Sequence, residues 1–185
     1  MKTTVFPGTV AQLLLIVFFG IFCLSCQGDD FSVENPDVKK FVEQLKDGTY
    51  DEFELNENGE RLWTKMPEFD VKDIPALIDL SKDTSLKNPI DHFPVNPMSS
   101  IPPYRIVNGI PNIMLGEFLL WCAEGVIQGK QYPSLVPVIK KTGSYRVLSG
   151  KEILEIRDIY LNWWNEFGKE GELGNSPLKG TNYTW

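Results

Sequence analysis

The sequence predicts a mainly α fold: an irregular helical bundle with a long Pro-rich loop and room for one small β-hairpin. Three observations carry that expectation. Four segments place apolar residues at helical spacing between capping signals. One of the four is apolar around most of its circumference, which suits only the middle of a packed body. The 82–110 stretch holds Pro89, Pro94, Pro97, Pro102 and Pro103 and runs into Pro111, too dense for a helix interior or a central strand.

The first helix is expected to begin at Asn35 as cap, with Pro36 in the first helical position and Asp37 at the positive end of the dipole. Val38, Phe41, Val42 and Leu45 then form one stripe, and Gly48 ends the helix. Between 49 and 69, Phe53 and Leu55 alternate with acids and Asn58-Gly59 is a type I′ turn signal, so a small hairpin is expected. A second helix starts near Asp70 or Asp73 and carries Ile74, Leu77, Ile78 and Leu80, with Pro75 in its first turn. Residues 82–110 read as a connection long enough to be functional or mobile.

The third helix follows Asn112, runs to about Gln128 and stops at Gly129. Its only polar stripe is Glu117, Glu124 and Gln128, read as solvated or paired with Arg105, Arg146 or Arg157. After a short apolar segment from Tyr132 to Ile139, Ser149 and Glu152 stand at capping-box spacing and open the last helix. Ile153, Ile156, Tyr160, Trp163 and Phe167 form its stripe and Gly168 ends it, leaving an irregular tail over 169–185. Ile74-Pro75-Ala76-Leu77-Ile78 and Tyr132-Pro133-Ser134-Leu135-Val136 share one pattern. That pattern resembles the first-helix signature of HEAT-type repeats, which implies stacked helix pairs.

Residues 1–25 are of another kind. An apolar run of about a dozen residues ends at Cys26, short of the roughly 20 helical residues that cross a bilayer, and fits a secretory signal. The expected organisation is a signal peptide over 1–25, an acidic polar tether over 26–34 and a single helical domain over 35–185. Removing Lys2 from 18 basic against 25 acidic residues leaves a net charge of −8. That argues against nucleic acid or a basic membrane patch as partner. Nothing in the sequence speaks to oligomeric state.

Leu24-Ser25-Cys26 resembles the lipobox of bacterial lipoproteins, although Cys23 stands at position −3, where that class favours Leu. The resemblance implies cleavage before Cys26 and a diacylglyceryl group on its sulfur, and so a membrane held through a lipid anchor. The alternative is a plain secretory signal cut near Ser25. Asp29-Asp30 resembles the acidic export tag of surface lipoproteins in Bacteroidetes-type bacteria. From residue 34 onward, Asn35-Pro36-Asp37-Val38-Lys39-Lys40-Phe41-Val42, Asp73-Ile74-Pro75-Ala76-Leu77 and Leu115-Gly116-Glu117 resemble a family of small uncharacterised lipoproteins of Bacteroides-type bacteria. What this implies is a helical domain behind an anchor at the outer membrane or cell surface, with no activity attached.

Candidate chemistry is sparse. His92 is the one histidine, and no HExxH, CxxC or GxSxG occurs, so neither a metal nor another cofactor is expected. Asp91, His92 and Glu117 are the residues a small envelope hydrolase would use. Glu117 and Glu124 lie about 10 Å apart along a helix, near the span of an inverting glycosidase pair. Cys122, on the most apolar helix, reads as structural. The aromatic residues Trp164, Tyr183 and Trp185, with His92 and Tyr104, form the candidate binding surface. The function expected is therefore non-catalytic binding of a protein or glycan partner. An inhibitor or immunity-type role toward a basic partner is the alternative, and a small hydrolase a more distant one.

Overall fold

The computed structural model describes residues 31–87, 92–99, 105–144, 146–168 and 173–185. The chain divides into two units, Met1–Phe31 and Ser32–Trp185, and the account below is of the second. The expected signal peptide and the expected lipid site Cys26 lie outside the described residues. Residues 32–34, placed in the tether by sequence, already touch the folded body: Val33 is buried and its carbonyl accepts from Glu68 N at 2.8 Å.

Helix α1 spans Val38–Asp47 and buries Val38, Phe41, Val42 and Leu45, the stripe its spacing predicts. Its cap is Asp37 rather than Asn35. The Asp37 carboxylate accepts from Lys39 N at 2.8 Å and Lys40 N at 3.1 Å, two donors that the helix itself leaves unsatisfied. Pro36 therefore precedes the cap. Strands β1 (Phe53–Leu55) and β2 (Arg61–Thr64) pair antiparallel, as expected, but the turn differs. Only Gly59 has positive φ there, at 78°, and Gly59 N donates to Asn56 O at 2.9 Å, so a type I turn followed by a left-handed glycine closes the hairpin.

A 3₁₀ turn over Val71–Asp73 leads into α2 (Ile74–Leu80). Both expected starting residues serve. Lys72 N donates to Asp70 at 2.8 Å while Asp70 N donates to Asp73 at 2.9 Å, a reciprocal capping box. The Pro-rich stretch is not all loop. Strands β3 (Leu86–Lys87), β4 (Arg105–Val107) and β5 (Ile110–Met114) form an antiparallel sheet in the order β3-β5-β4. Asn108 and Gly109 both have positive φ, 52° and 78°, so the two-residue I′ turn falls at this Asn-Gly pair rather than at Asn58-Gly59. Val107 opposite Ile110 closes that turn as a hydrogen-bonded pair, which puts Pro111, opposite Ile106, where no ladder bond to β4 is needed. The expected helices are thus joined by short antiparallel strand pairs in a small mixed fold, about 38% helix and 13% strand, rather than forming a clear helical bundle.

Helix α3 (Leu115–Gln128) begins later than predicted because Ile113 and Met114 belong to β5. Its first amides find main-chain partners: Leu115 N donates to Ser85 O at 3.1 Å and Gly116 N to Asp83 O at 2.8 Å. Lys46, on α1, reaches the Asp83 carboxylate at 2.7 Å, tying α1 to the same turn. Burial favours the neutral Asp83, but the Lys46 ammonium and Ser85 donors outweigh it and hold its carboxyl at about 2.

The 131–138 segment is irregular, so the second copy of the HEAT-like pattern starts no helix and the stacked-pair expectation fails. The segment is pinned through Trp121, whose Nε1 donates to Ser134 Oγ at 2.7 Å. Helix α4 (Gly150–Glu166) opens on the predicted Ser149–Glu152 capping box. Strand β6 (Lys140–Lys141) pairs antiparallel with β7 (Tyr183–Thr184), drawing the 173–185 segment onto the body. Helix α3 is apolar around most of its circumference because it is covered from two sides. Phe118 packs edge-on against Phe93 of the Pro-rich stretch at 5.0 Å and lies 6.4 Å from Phe41 of α1. Leu120 and Ile127 join Ile153, Ile156 and Tyr160 of α4 in an apolar cluster on the other face.

Candidate functional site

The polar stripe of α3 is the least expected feature of the core. Glu117 and Glu124 are buried, with 1% and 0% of their surface exposed, where solvation or pairing with Arg105, Arg146 or Arg157 was expected. Each meets donors that the fold supplies. Ile139 N donates to Glu117 Oε1 at 2.8 Å. Gln128 Nε2 donates to Glu124 Oε1 at 2.6 Å, and the Tyr160 hydroxyl donates to Glu124 Oε2 in a short bond. Trp185 Nε1 then donates to the Tyr160 oxygen at 2.9 Å. The arginines are engaged elsewhere: Arg146 with Glu152, and Arg157 with Ile78 O at 3.1 Å and Asp158 at 3.1 Å. The Arg105 side chain lies outside the described residues.

This chain of bonds links α3 to α4 and α4 to the 173–185 segment, and it shapes the surface there. A cleft of about 320 Å³ opens beside Trp185, lined also by Tyr183, Gln128, Lys179 and Ser134, with Glu124 at its floor. A second groove of about 500 Å³ runs between α4 and the same segment, lined by Trp163, Phe167, Asn162, Asn175 and Glu166 among others. Ser176 and Lys179 border both. Burial and the neighbouring Glu124 charge push the Tyr160 hydroxyl well above its ordinary range. Burial likewise raises Tyr50, and raises Tyr132 to about 12.

The sign of the resulting linkage is definite. These phenols stay neutral in the folded protein but ionise near pH 10 once unfolded, so their contribution is complete below that pH and is lost as pH rises above it. Of the 6 tyrosines, the share of the 295 nm absorbance that belongs to Tyr50, Tyr132 and Tyr160 should therefore appear only together with loss of circular dichroism, above pH 10. Ionisation of all 6 with the circular dichroism intact would contradict the burial of Tyr160.

Of the candidate binding residues, Tyr183 and Trp185 come together in the cleft. Trp164 does not join them. It is half-buried and its ring is packed against Gly168, where a Cβ would sit 2.2 Å from Trp164 Cε3. His92 lies elsewhere, half-buried, its Nδ1 3.0 Å from Tyr50 O. Tyr104 and Asp91 fall outside the described residues. Glu117 lines neither the cleft nor the groove, so the two α3 carboxylates do not face one site. Cys122 is buried, its thiol pushed up by burial and its sulfur 3.9 Å from Met66 Sδ, which fits the structural role expected. Sequence reading missed Asn162, Phe167, Asn175 and Lys179. Their only signal was an amide- and aromatic-bearing helix end followed by a Gly- and Pro-punctuated segment.

A family model described as a domain of unknown function (DUF4943) matches residues 32–185, the whole of the folded unit. The chain belongs to that family. No curated protein and no solved structure matches it. In this DUF4943 domain the groove and the cleft gather Trp163, Phe167, Tyr183 and Trp185 around the 173–185 segment.

Proposed function

We propose that the protein is a lipid-anchored binding protein of the bacterial cell envelope, non-catalytic, which holds a protein or glycan partner at the groove and cleft formed by α3, α4 and the 173–185 segment. The observation that carries the reading is Trp185 fixed at the cleft through Tyr160 and Glu124, with Phe167 left 40% exposed in the adjoining groove. A ring held rigidly at a surface recess offers contact area at little entropic cost, as binding sites require. The anchor rests on the leader and Cys26, whose surroundings resemble a lipobox; two or three acyl chains would make attachment effectively permanent. Kinship with small Bacteroides-type lipoproteins, and an outer-membrane or surface position, belong to the same proposal.

A second reading, an inhibitor of a basic partner, is favoured by the β1–β2 hairpin. Asp51, Glu52, Glu54, Glu57 and Glu60 surround Leu55, Leu62 and Trp63, which are exposed by 53%, 50% and 38%. Two measurements on intact cells test the proposal. An alkyne-palmitate label should enter the protein and be lost in Cys26→Ala, which should leave the membrane fraction. Hydroxyl-radical footprinting should show Phe167 and Trp185 protected in cells relative to the purified protein, with Leu55, Leu62 and Trp63 unchanged. Protection at the hairpin alone would favour the inhibitor reading. An identical footprint in both settings would refute a partner at either surface.

A further inference from the structure

We propose that the groove between α4 and the 173–185 segment, continued by the cleft beside Trp185, binds an uncharged oligosaccharide lying across Ser176 and Lys179. The inference rests on the binding reading above and gives it a ligand class.

The first support is the floor. Phe167, 40% exposed, lines the groove as its open aromatic side chain, and Trp163, only 9% exposed, backs it from the core. A pyranose has a face of C–H groups that packs on an aromatic ring, while its hydroxyls point outward around the rim. The second is the wall. Asn162, Asn175 and Ser176 edge the groove. Side-chain amides and hydroxyls both donate and accept, which is what a ring of sugar hydroxyls needs from its neighbours.

Charge is the third. Among the described residues, Glu166 and Lys179 are the charged side chains lining the groove and they cancel, while Glu124 at the cleft is already held by Tyr160 and Gln128. A cationic peptide would be drawn instead to the five acids of 51–60, and an anion would meet one lysine, whose Nζ already donates to Asn175 Oδ1 at 3.2 Å, in a groove that also carries Glu166. A neutral ligand is the class this lining does not penalise. Length is the fourth. Groove and cleft, about 500 and 320 Å³, share Ser176 and Lys179, so the recess suits a chain of several sugars rather than one ring.

The test is a titration of the full-length protein, purified in detergent, with cellohexaose, maltohexaose, laminarihexaose, xylohexaose and mannohexaose. Hexagalacturonate and hexalysine serve as charged comparisons, with tryptophan fluorescence and calorimetry as readouts. At least one neutral hexasaccharide should bind saturably, and Phe167→Ala and Asn162→Ala should each weaken it tenfold or more. Leu55→Ser, on the hairpin, should leave it unchanged, and all three variants should melt like the wild type. If no neutral sugar binds, the oligosaccharide assignment is overturned. If hexalysine or hexagalacturonate then binds in a way that Phe167→Ala abolishes, the ligand class is wrong while the site stands. If a neutral sugar binds and both groove variants keep wild-type affinity, the groove is not its site and the proposal fails together with the reading beneath it.

Discussion

Gly116→Ala is expected to lose about 3 kcal/mol of stability, although helix propensity alone predicts a gain of about 1 kcal/mol for the same change. The sign separates the two effects. A Cβ at Gly116 would stand 2.0 Å from Ser81 O and 3.0 Å from Asp83 O, both main-chain atoms. Backbone cannot swing aside as a side-chain tip can. The first turn of α3 would have to back away, and with it would go the bond from Gly116 N to Asp83 O, at 2.8 Å, and the neighbouring one from Leu115 N to Ser85 O. Those carbonyls stand in for a side-chain cap, which Met114 does not provide. Urea denaturation of the variant should show a lower midpoint with an unchanged slope. A higher midpoint would mean that α3 does not sit hard against the 81–85 turn.

The second large effect is expected at Tyr160. Tyr160→Phe removes the donor to Glu124 Oε2 and the acceptor for Trp185 Nε1, while leaving the ring in place. A buried carboxylate deprived of a donor costs about 3 kcal/mol, which in a chain of this size lowers Tm by about 6 to 12 °C. Trp185 should loosen in the same variant, seen as a red shift of its emission. Adding Glu124→Leu provides the control. With both partners apolar no carboxylate is stranded, so the double variant should be no less stable than the worse single one. Strictly additive losses would show that Glu124 and Tyr160 do not act as a pair.

Elements whose signals are local were legible in the sequence. Ser149 and Glu152 cap α4 as their spacing predicts, and the apolar stripe of α1 is the one buried. The cap of α1 shifted by two residues because Asn35, Pro36 and Asp37 all suit the start of a helix, and it is the Asp37 carboxylate, not the Asn35 amide, that reaches the free amides. The β3-β5-β4 sheet was hidden by its prolines. Pro111 is tolerated in the middle strand because its missing N–H falls at a position that makes no ladder bond to β4.

The site was legible only in part. Tyr183 and Trp185 stood out as aromatic residues in an otherwise polar segment, and they do reach one cleft. Glu124 was misread because a residue's type does not reveal which distant partner will arrive. Its phenol donor lies 36 residues along the chain, on another helix. The groove residues Asn162, Phe167 and Asn175 are unremarkable in sequence and acquire meaning only when the 173–185 segment folds back along α4.

The claim that this face is the working surface is tested most directly by the indole N–H resonances. The chain has 5 tryptophans, Trp63, Trp121, Trp163, Trp164 and Trp185, and each gives one cross-peak in a ¹H–¹⁵N spectrum. On titration with the neutral hexasaccharides, the peaks of Trp163 and Trp185 should move and saturate together, while that of Trp63 on the hairpin stays fixed. Movement of Trp63 with Trp163 and Trp185 unperturbed, or no movement of any indole, would contradict it.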